Sequence, residues 1–97
     1  TACPLSGFTA AEKVADPHNL GIRLWVNDKL CQDGSTALMI HRIPEIVSYM
    51  SGIFTLEAGD IILTGTPAGV GPLRSGDRVT AEVEQAGRVT VQVIYFL

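Results

Sequence analysis

The residues best suited to chemistry in this chain are two threonines that flank a glycine, Thr64, Gly65 and Thr66. They open a loop that is rich in glycine and proline and ends at Pro72. Glycine allows close backbone approach, and proline fixes φ and removes an N–H. Such a loop can present hydroxyl groups and bare amides to an anionic ligand. The same composition is also typical of plain turns, so the residues alone leave both interpretations open.

Other catalytic patterns are not found in the sequence. The loop lacks the Gly-x-x-x-x-Gly-Lys-[Ser/Thr] spacing of a phosphate-binding loop, and no Gly-x-Ser-x-Gly nucleophile motif occurs. Glu82 and Glu84 lie two residues apart on a predicted strand, so they share a face and could chelate a hard cation. Because they lie beside a predicted hairpin turn, the pattern favours a solvated face instead.

The histidines and cysteines are predicted to be structural, because neither pair has the spacing of a metal site. His18 follows Asp16-Pro17 and is typical of a hydrogen-bonded loop residue. His41 stands just before a predicted helix, where its ring would serve as a local donor or acceptor. Cys3 and Cys31 are far apart and are expected to be reduced, as in a cytoplasmic protein.

Hydrophobic patterns predict the elements that hold the loop. The apolar run at 61–63 predicts a buried strand that leads directly into the loop. Alternation over residues 20–32 around Asn27-Asp28 predicts a β-hairpin, followed by a second turn at 33–36. Apolar residues at helical spacing, with Pro44 in the first turn, predict a helix over 43–51.

The last part of the chain repeats one turn and closes with a hairpin. Residues 56–62 (LEAGDII) match residues 73–79 (LRSGDRV), and each copy predicts a Gly-Asp turn that leads into a strand. Alternation over 79–93, around a turn at 85–87, predicts the second hairpin. One short helix among several strands makes the expected fold class β-rich α+β.

Composition bounds the function. The 97 residues are enough for one small domain, and an apolar content of 46 % permits a core. A net charge of −3 without a basic cluster argues against nucleic-acid binding. No apolar stretch approaches the length of a membrane span, so no membrane partner is expected. The start at Thr1 is typical of the interior of a longer protein.

The sequence resembles the fumarylacetoacetate hydrolase family. The loop at 59–72 (GDIILTGTPAGVGP) is similar to the family's signature, and further blocks follow the family's order over essentially the whole chain. These further blocks are CPL at 3–5, DPH at 16–18, LWVN at 24–27, QDG at 32–34, and MI at 39–40 with IP at 43–44. The resemblance is to the C-terminal portion of the family's catalytic domain, over residues 1–97.

The resemblance implies a mixed β-roll, a homodimer, and a divalent cation, Mg²⁺ or Mn²⁺, that holds a 2-oxo or 2,4-dioxo acid. The family's metal ligands, its Glu–His pair and its lysine would all precede Thr1, so no catalytic or metal-binding residue is expected in this chain. Thr66 is expected to donate to a substrate carboxylate, with Gly65 offering its N–H and Thr64 lying beside them. Thr1 is a candidate for an indirect contact with the metal.

The expected function is therefore that of part of a metal-dependent hydrolase that cleaves a C–C bond in 2,4-dioxo acids. The alternatives are an isomerase or decarboxylase of hydroxymuconate or homoprotocatechuate catabolism, and a non-catalytic module for dimerisation or ligand binding. By itself the chain is expected to be inactive and to need a second copy or an upstream segment.

Overall fold

The computed structural model describes residues 3–94 as four strands and one helix. The strands are β1 (Gly21–Val26), β2 (Lys29–Ser35), β3 (Arg78–Val83) and β4 (Gly87–Gln92), and the helix is α1 (Ile43–Ser51). Short 3₁₀ turns cover Ala11–Lys13 and Thr36–Leu38. The sheet order is β2-β1-β3-β4, and every pairing is antiparallel. The predicted β-rich α+β class is confirmed.

The first hairpin forms as its turn residues predict. Asn27 and Asp28 both have positive φ, 50° and 68°, which is the signature of a type I′ turn. This turn twists in the same sense as the strands it joins, so β1 and β2 pair directly beside it. The predicted turn at 33–36 is wrong, because β2 continues through Ser35 in register with Gly21.

A β-bulge interrupts β2. Leu24 pairs with Gln32 but Trp25 pairs with Leu30, so Cys31 is the extra residue of the bulge. An inserted residue breaks the alternation of side chains between the two faces of a strand. As a result Gln32 shares the face of Leu24, while Leu30 shares the face of Trp25.

The two copies of the repeated turn have the same hydrogen bonds. Asp60 Oδ2 accepts from Glu57 N at 2.8 Å, and Asp77 Oδ2 accepts from Arg74 N at 2.8 Å. The glycines before these aspartates, Gly59 and Gly76, have φ of 94° and 93°. Only the second copy leads into a strand. The residues after it form β3, because β1 and β4 lie on either side and pair with them.

The predicted strand at 61–63 is wrong. The segment forms no ladder with any strand in the described part of the chain, and Ile61 and Leu63 are 51 % and 77 % exposed. An apolar run becomes a strand only when another strand accepts and donates its backbone hydrogen bonds. Here the described sheet ends at β2 and β4, and neither edge pairs with this segment.

Helix α1 has the predicted bounds, and a histidine caps it. Glu45 Oε1 accepts from Arg42 N at 3.3 Å, and Nε2 of His18 accepts from Ile43 N at 2.9 Å. The His18 side chain is only 10 % exposed. The hydrogen-bonded loop role predicted for His18 is confirmed. The local bonding predicted for His41 is wrong, since its ring is exposed and makes no hydrogen bond within residues 3–94.

No helix among residues 3–94 has the length and apolar character needed to cross a bilayer.

Candidate functional site

The loop over residues 64–72, called the threonine loop below, is anchored on the edge strand β2 by two close contacts, each at a glycine. A Cβ on Gly34 would lie 2.8 Å from the Cβ of Pro67, so the proline ring occupies the space that a side chain would need. A Cβ on Gly69, whose φ is 105°, would collide with the carbonyl oxygen of Cys31, the bulge residue. The loop therefore lies against β2 at positions where only glycine fits.

The amide of Gln32 ties the loop to the strand. Its Nε2 donates to the carbonyl oxygen of Pro67 at 2.7 Å and to Oγ1 of Thr66 at 2.9 Å. Gln32 is 6 % exposed. A carbonyl oxygen can only accept, so the contact with Pro67 determines which end of the amide faces the loop. A buried amide with both hydrogens in use is a strong constraint on the loop, because leaving it unpaired costs about 1–3 kcal/mol.

A concavity of about 510 Å³ lies between the threonine loop and the segment before α1. Thr64, Gly65 and Thr66 line it, and much of the remaining lining is apolar. The other lining residues are Ile22, Ser35, Thr36, Leu38, Met39, Ile40, His41, Ile46, Pro67 and Ala68. The lining therefore contains hydroxyl and amide donors, one histidine and no carboxylate. This arrangement suits a small anion with an apolar or uncharged body.

The three threonine-loop residues that the sequence singled out thus lie together on this concavity. Gly65 has φ of 101°, and neither it nor Thr64 makes a hydrogen bond to another residue within the described range. Their N–H groups are therefore available to a ligand. Their role in binding substrate stays a prediction. Thr1 lies outside the described residues.

The described residues do not form a metal site. No group of three His, Cys, Asp or Glu side chains in residues 3–94 could hold an ion. Glu82 and Glu84 lie at the end of β3, and Glu82 is in register with Arg23 on one side and Arg88 on the other. Arg88 also covers the ring of Trp25, with its guanidinium 5.2 Å from the ring centroid. The Mg²⁺ or Mn²⁺ ligands that the resemblance implies would precede Thr1, and residues 3–94 offer no such donor set of their own.

Gln32 was missed by the sequence reasoning as a site residue, although QDG at 32–34 was among the resembling blocks. One signal in the sequence is the glycine two residues later, which leaves room for a close contact. Unbroken alternation from the turn at Asn27-Asp28 would place Gln32 opposite Arg23 on the polar face, and only the bulge at Cys31, which the strand register reveals, moves it to the face of Leu24.

Relatives of known name share this region. The model of the fumarylacetoacetate (FAA) hydrolase C-terminal family matches residues 1–94. The oxaloacetate tautomerase YcgM of Escherichia coli (strain K12) is 58 % identical over 80 residues, which are 81 % of this chain and 36 % of that protein. The human mitochondrial oxaloacetate tautomerase FAHD1 is 50 % identical over 92 residues, 95 % of this chain and 42 % of that protein.

A solved structure agrees with the fold. The maleylpyruvate hydrolase of Sphingobium sp. SYK-6, in complex with manganese(II) and pyruvate, superposes with a TM-score of 0.87 at 44 % identity. The match covers 89 % of this chain and 33 % of that one. The chain thus spans well under half the length of these relatives. A family model that matches nearly every residue, together with these identities, shows that the chain belongs to the fumarylacetoacetate hydrolase family.

Proposed function

We propose that this chain supplies the substrate-carboxylate subsite of an enzyme that acts on small 2-oxo or 2,4-dioxo acids. The observation that carries the proposal is the position of Thr64, Gly65 and Thr66 on a concavity without carboxylates. There the Thr66 hydroxyl and the Gly65 N–H would donate to the substrate carboxylate. Preorganised donors in such a site bind an anion strongly, because they need no reorganisation when it arrives.

Apolar residues of the concavity would contact the body of the substrate. Leu38, Met39 and Ile40 line it, and because Leu38 and Ile40 are 79 % and 92 % exposed in this chain, a covering partner would be needed to exclude water. Hydrogen bonds and charges act more strongly where water is excluded. In this proposal the chain binds and orients the substrate, and the proton transfers belong to residues outside it.

Keto–enol tautomerisation of a 2-oxo dicarboxylate is the reaction we favour. The E. coli and human relatives, at 58 % and 50 % identity, are both named oxaloacetate tautomerases. Hydrolysis of a C–C bond in a dioxo acid is the second candidate, supported by the maleylpyruvate hydrolase at 44 % identity. Both reactions pass through an enol or enolate of a 2-oxo acid, so one carboxylate subsite serves either.

The proposal also includes a divalent cation and a partner that covers the exposed apolar surface of this chain. The manganese complex of the maleylpyruvate hydrolase supports a cation in this enzyme, held by residues outside the described range. A second copy of the chain or an upstream segment would cover its exposed apolar surface. A cytoplasmic location stays a prediction, because the human relative is named as mitochondrial.

A graft tests the proposal. This chain would replace the matching C-terminal segment of the E. coli tautomerase, and oxaloacetate tautomerisation would be assayed. We expect the graft to be active. We expect Thr66→Val to lower kcat/KM by a factor that corresponds to about 1–3 kcal/mol of lost transition-state stabilisation, since a carboxylate oxygen loses its donor. Thr66→Ser keeps the hydroxyl and should keep most of the activity.

Thr55→Val is the matched control, because Thr55 is exposed and does not line the concavity. A folded graft without activity would favour the non-catalytic module instead. A graft in which Thr66→Val behaves like Thr55→Val would remove the threonine loop from the site.

A further inference from the structure

The hydrogen bonds of Gln32 determine what the Thr66 hydroxyl can still do. The amide has two hydrogens, and one goes to Pro67 O and the other to Thr66 Oγ1. The hydroxyl therefore acts as an acceptor towards the strand. A threonine hydroxyl has a single hydrogen, so that hydrogen is not used in this contact. Among the described residues the Thr66 hydroxyl donates to no other group.

We infer that Gln32 is a positioning residue that fixes the Thr66 hydroxyl as a hydrogen-bond donor to the substrate carboxylate. The inference rests on the proposed function and deepens it. A hydroxyl free to rotate can present either its hydrogen or its lone pairs to a ligand. A buried donor behind it biases that choice, because one of the two lone pairs accepts from the amide and the hydrogen must point away from this contact.

The strand geometry explains how an edge strand comes to hold this amide. The bulge at Cys31 shifts Gln32 onto the face of Leu24, and Ile22, which lines the concavity, shares that face. Gly34 lies on the same face, opposite Ile22, and leaves room for Pro67. Bulges commonly re-aim a side chain next to an active site. The donor, the close contact and the concavity are thus aligned on one face of the sheet.

The test uses the graft of this chain into the E. coli tautomerase. Gln32→Met removes both donors at similar side-chain length, and Thr66→Val removes the hydroxyl. With oxaloacetate or an acylpyruvate as substrate, we expect Gln32→Met to raise KM roughly tenfold with a smaller change in kcat. In the Thr66→Val background the same substitution should change KM less than about twofold, because the hydroxyl it orients is gone.

Gln32→Glu is a second variant of the same shape. An ionised Glu would accept the Thr66 hydrogen, so the hydroxyl would be turned away from the substrate. We therefore expect Gln32→Glu to raise KM more than Gln32→Met does. Thermal unfolding of each variant separates this effect from simple loss of folded protein.

The possible results distinguish this inference from the proposed function. Non-additive Gln32→Met and Thr66→Val effects on KM support the inference. An equal Gln32→Met effect in both backgrounds, or an unchanged KM, overturns the inference while the carboxylate subsite stands. If Thr66→Val leaves an active enzyme unchanged, the proposed function of the threonine loop itself fails.

Discussion

Asp77 is a titratable residue whose carboxylate accepts hydrogen bonds just before β3. The backbone N–H of Arg74, and then the side-chain amide of Asn27, hold the pKa of Asp77 below its usual value. Asn27 also accepts from Arg78 N at 2.9 Å, so one carboxylate and one amide connect the turn of the first hairpin to the start of β3. These bonds stabilise the ionised form of Asp77 in the folded state.

Acid should therefore weaken the fold through Asp77. A carboxyl whose folded pKa is depressed contributes stability above its unfolded pKa, and this contribution is lost as the pH falls through the folded value. We expect the stability difference between the protein and Asp77→Asn to shrink as the pH is lowered below about 4. Urea unfolding at a series of pH values measures it.

A graded control follows from the order of the two donors. Asn27→Gly keeps a residue that tolerates positive φ. It removes the second of the two donors to Asp77, together with an acceptor for Arg78 N that does not titrate, so its effect on the acid dependence should be smaller. A difference in the free energy of unfolding between the protein and Asp77→Asn that stays constant at every pH would contradict this account.

At the scale of elements, two long-range contacts hold the threonine loop and helix α1 in place. The threonine loop lies on β2 because two glycines admit it, and α1 begins where His18 accepts its first N–H. Neither contact is made by neighbours in sequence: His18 and Ile43 are 25 residues apart. Each can be broken by one substitution.

Gly69→Ala should displace the threonine loop. The new Cβ would meet the Cys31 carbonyl, and alanine disfavours a φ of 105°. We expect a loss of about 1–3 kcal/mol in the free energy of unfolding and a lower kcat/KM in the graft. Gly71→Ala is the matched control, since a Cβ there meets nothing within 4 Å and its φ is not in the positive range. Similar behaviour of the two variants would show that the loop does not depend on this contact.

His18→Ala should weaken the start of α1. Removing the acceptor leaves the Ile43 N–H without this partner, and loss of a helix cap costs about 1 kcal/mol. His41→Ala removes the other histidine, which is exposed and unbonded within residues 3–94, and should leave the free energy of unfolding unchanged. Chemical denaturation of both variants gives the comparison, and an equal loss in both would be evidence against a capping role for His18.

At the scale of the molecule, the chain exposes more surface than a compact protein of its size. Its accessible area is 7660 Å² at 10.3 kDa, whereas a compact monomer of this mass exposes about 5,400 Å². Its radius of gyration is 14.9 Å, against about 12.5 Å expected. Large apolar side chains contribute to the excess, among them Phe8, Leu38, Ile40, Leu63 and Val70.

The isolated chain should therefore associate with itself or bind a hydrophobic dye. The excess of roughly 2,300 Å² is larger than the area of about 800 Å² that one partner buries in a standard interface. We expect sedimentation to show oligomers and ANS fluorescence to rise relative to the graft at equal molar concentration. A chain that sediments as a compact monomer without ANS binding would contradict this prediction.

Local sequence determined the elements whose hydrogen bonds close over a few residues. Positive-φ residues at 27–28 specified the first hairpin, and the two Gly-Asp turns formed alike because each aspartate bonds three residues back. The helix at 43–51 followed from its apolar spacing and from a proline in its first turn. The position of Thr64, Gly65 and Thr66 after an apolar run was enough to single them out.

Only the tertiary structure decided which residues support those elements. The run at 61–63 stayed outside the sheet because pairing needs a neighbouring strand, which its own residues cannot specify. His18, rather than the adjacent His41, reaches the helix start, and Gln32 meets Thr66 across 34 residues. These contacts depend on strand register and on one bulge, so they arise from the packing of distant segments and not from local pattern.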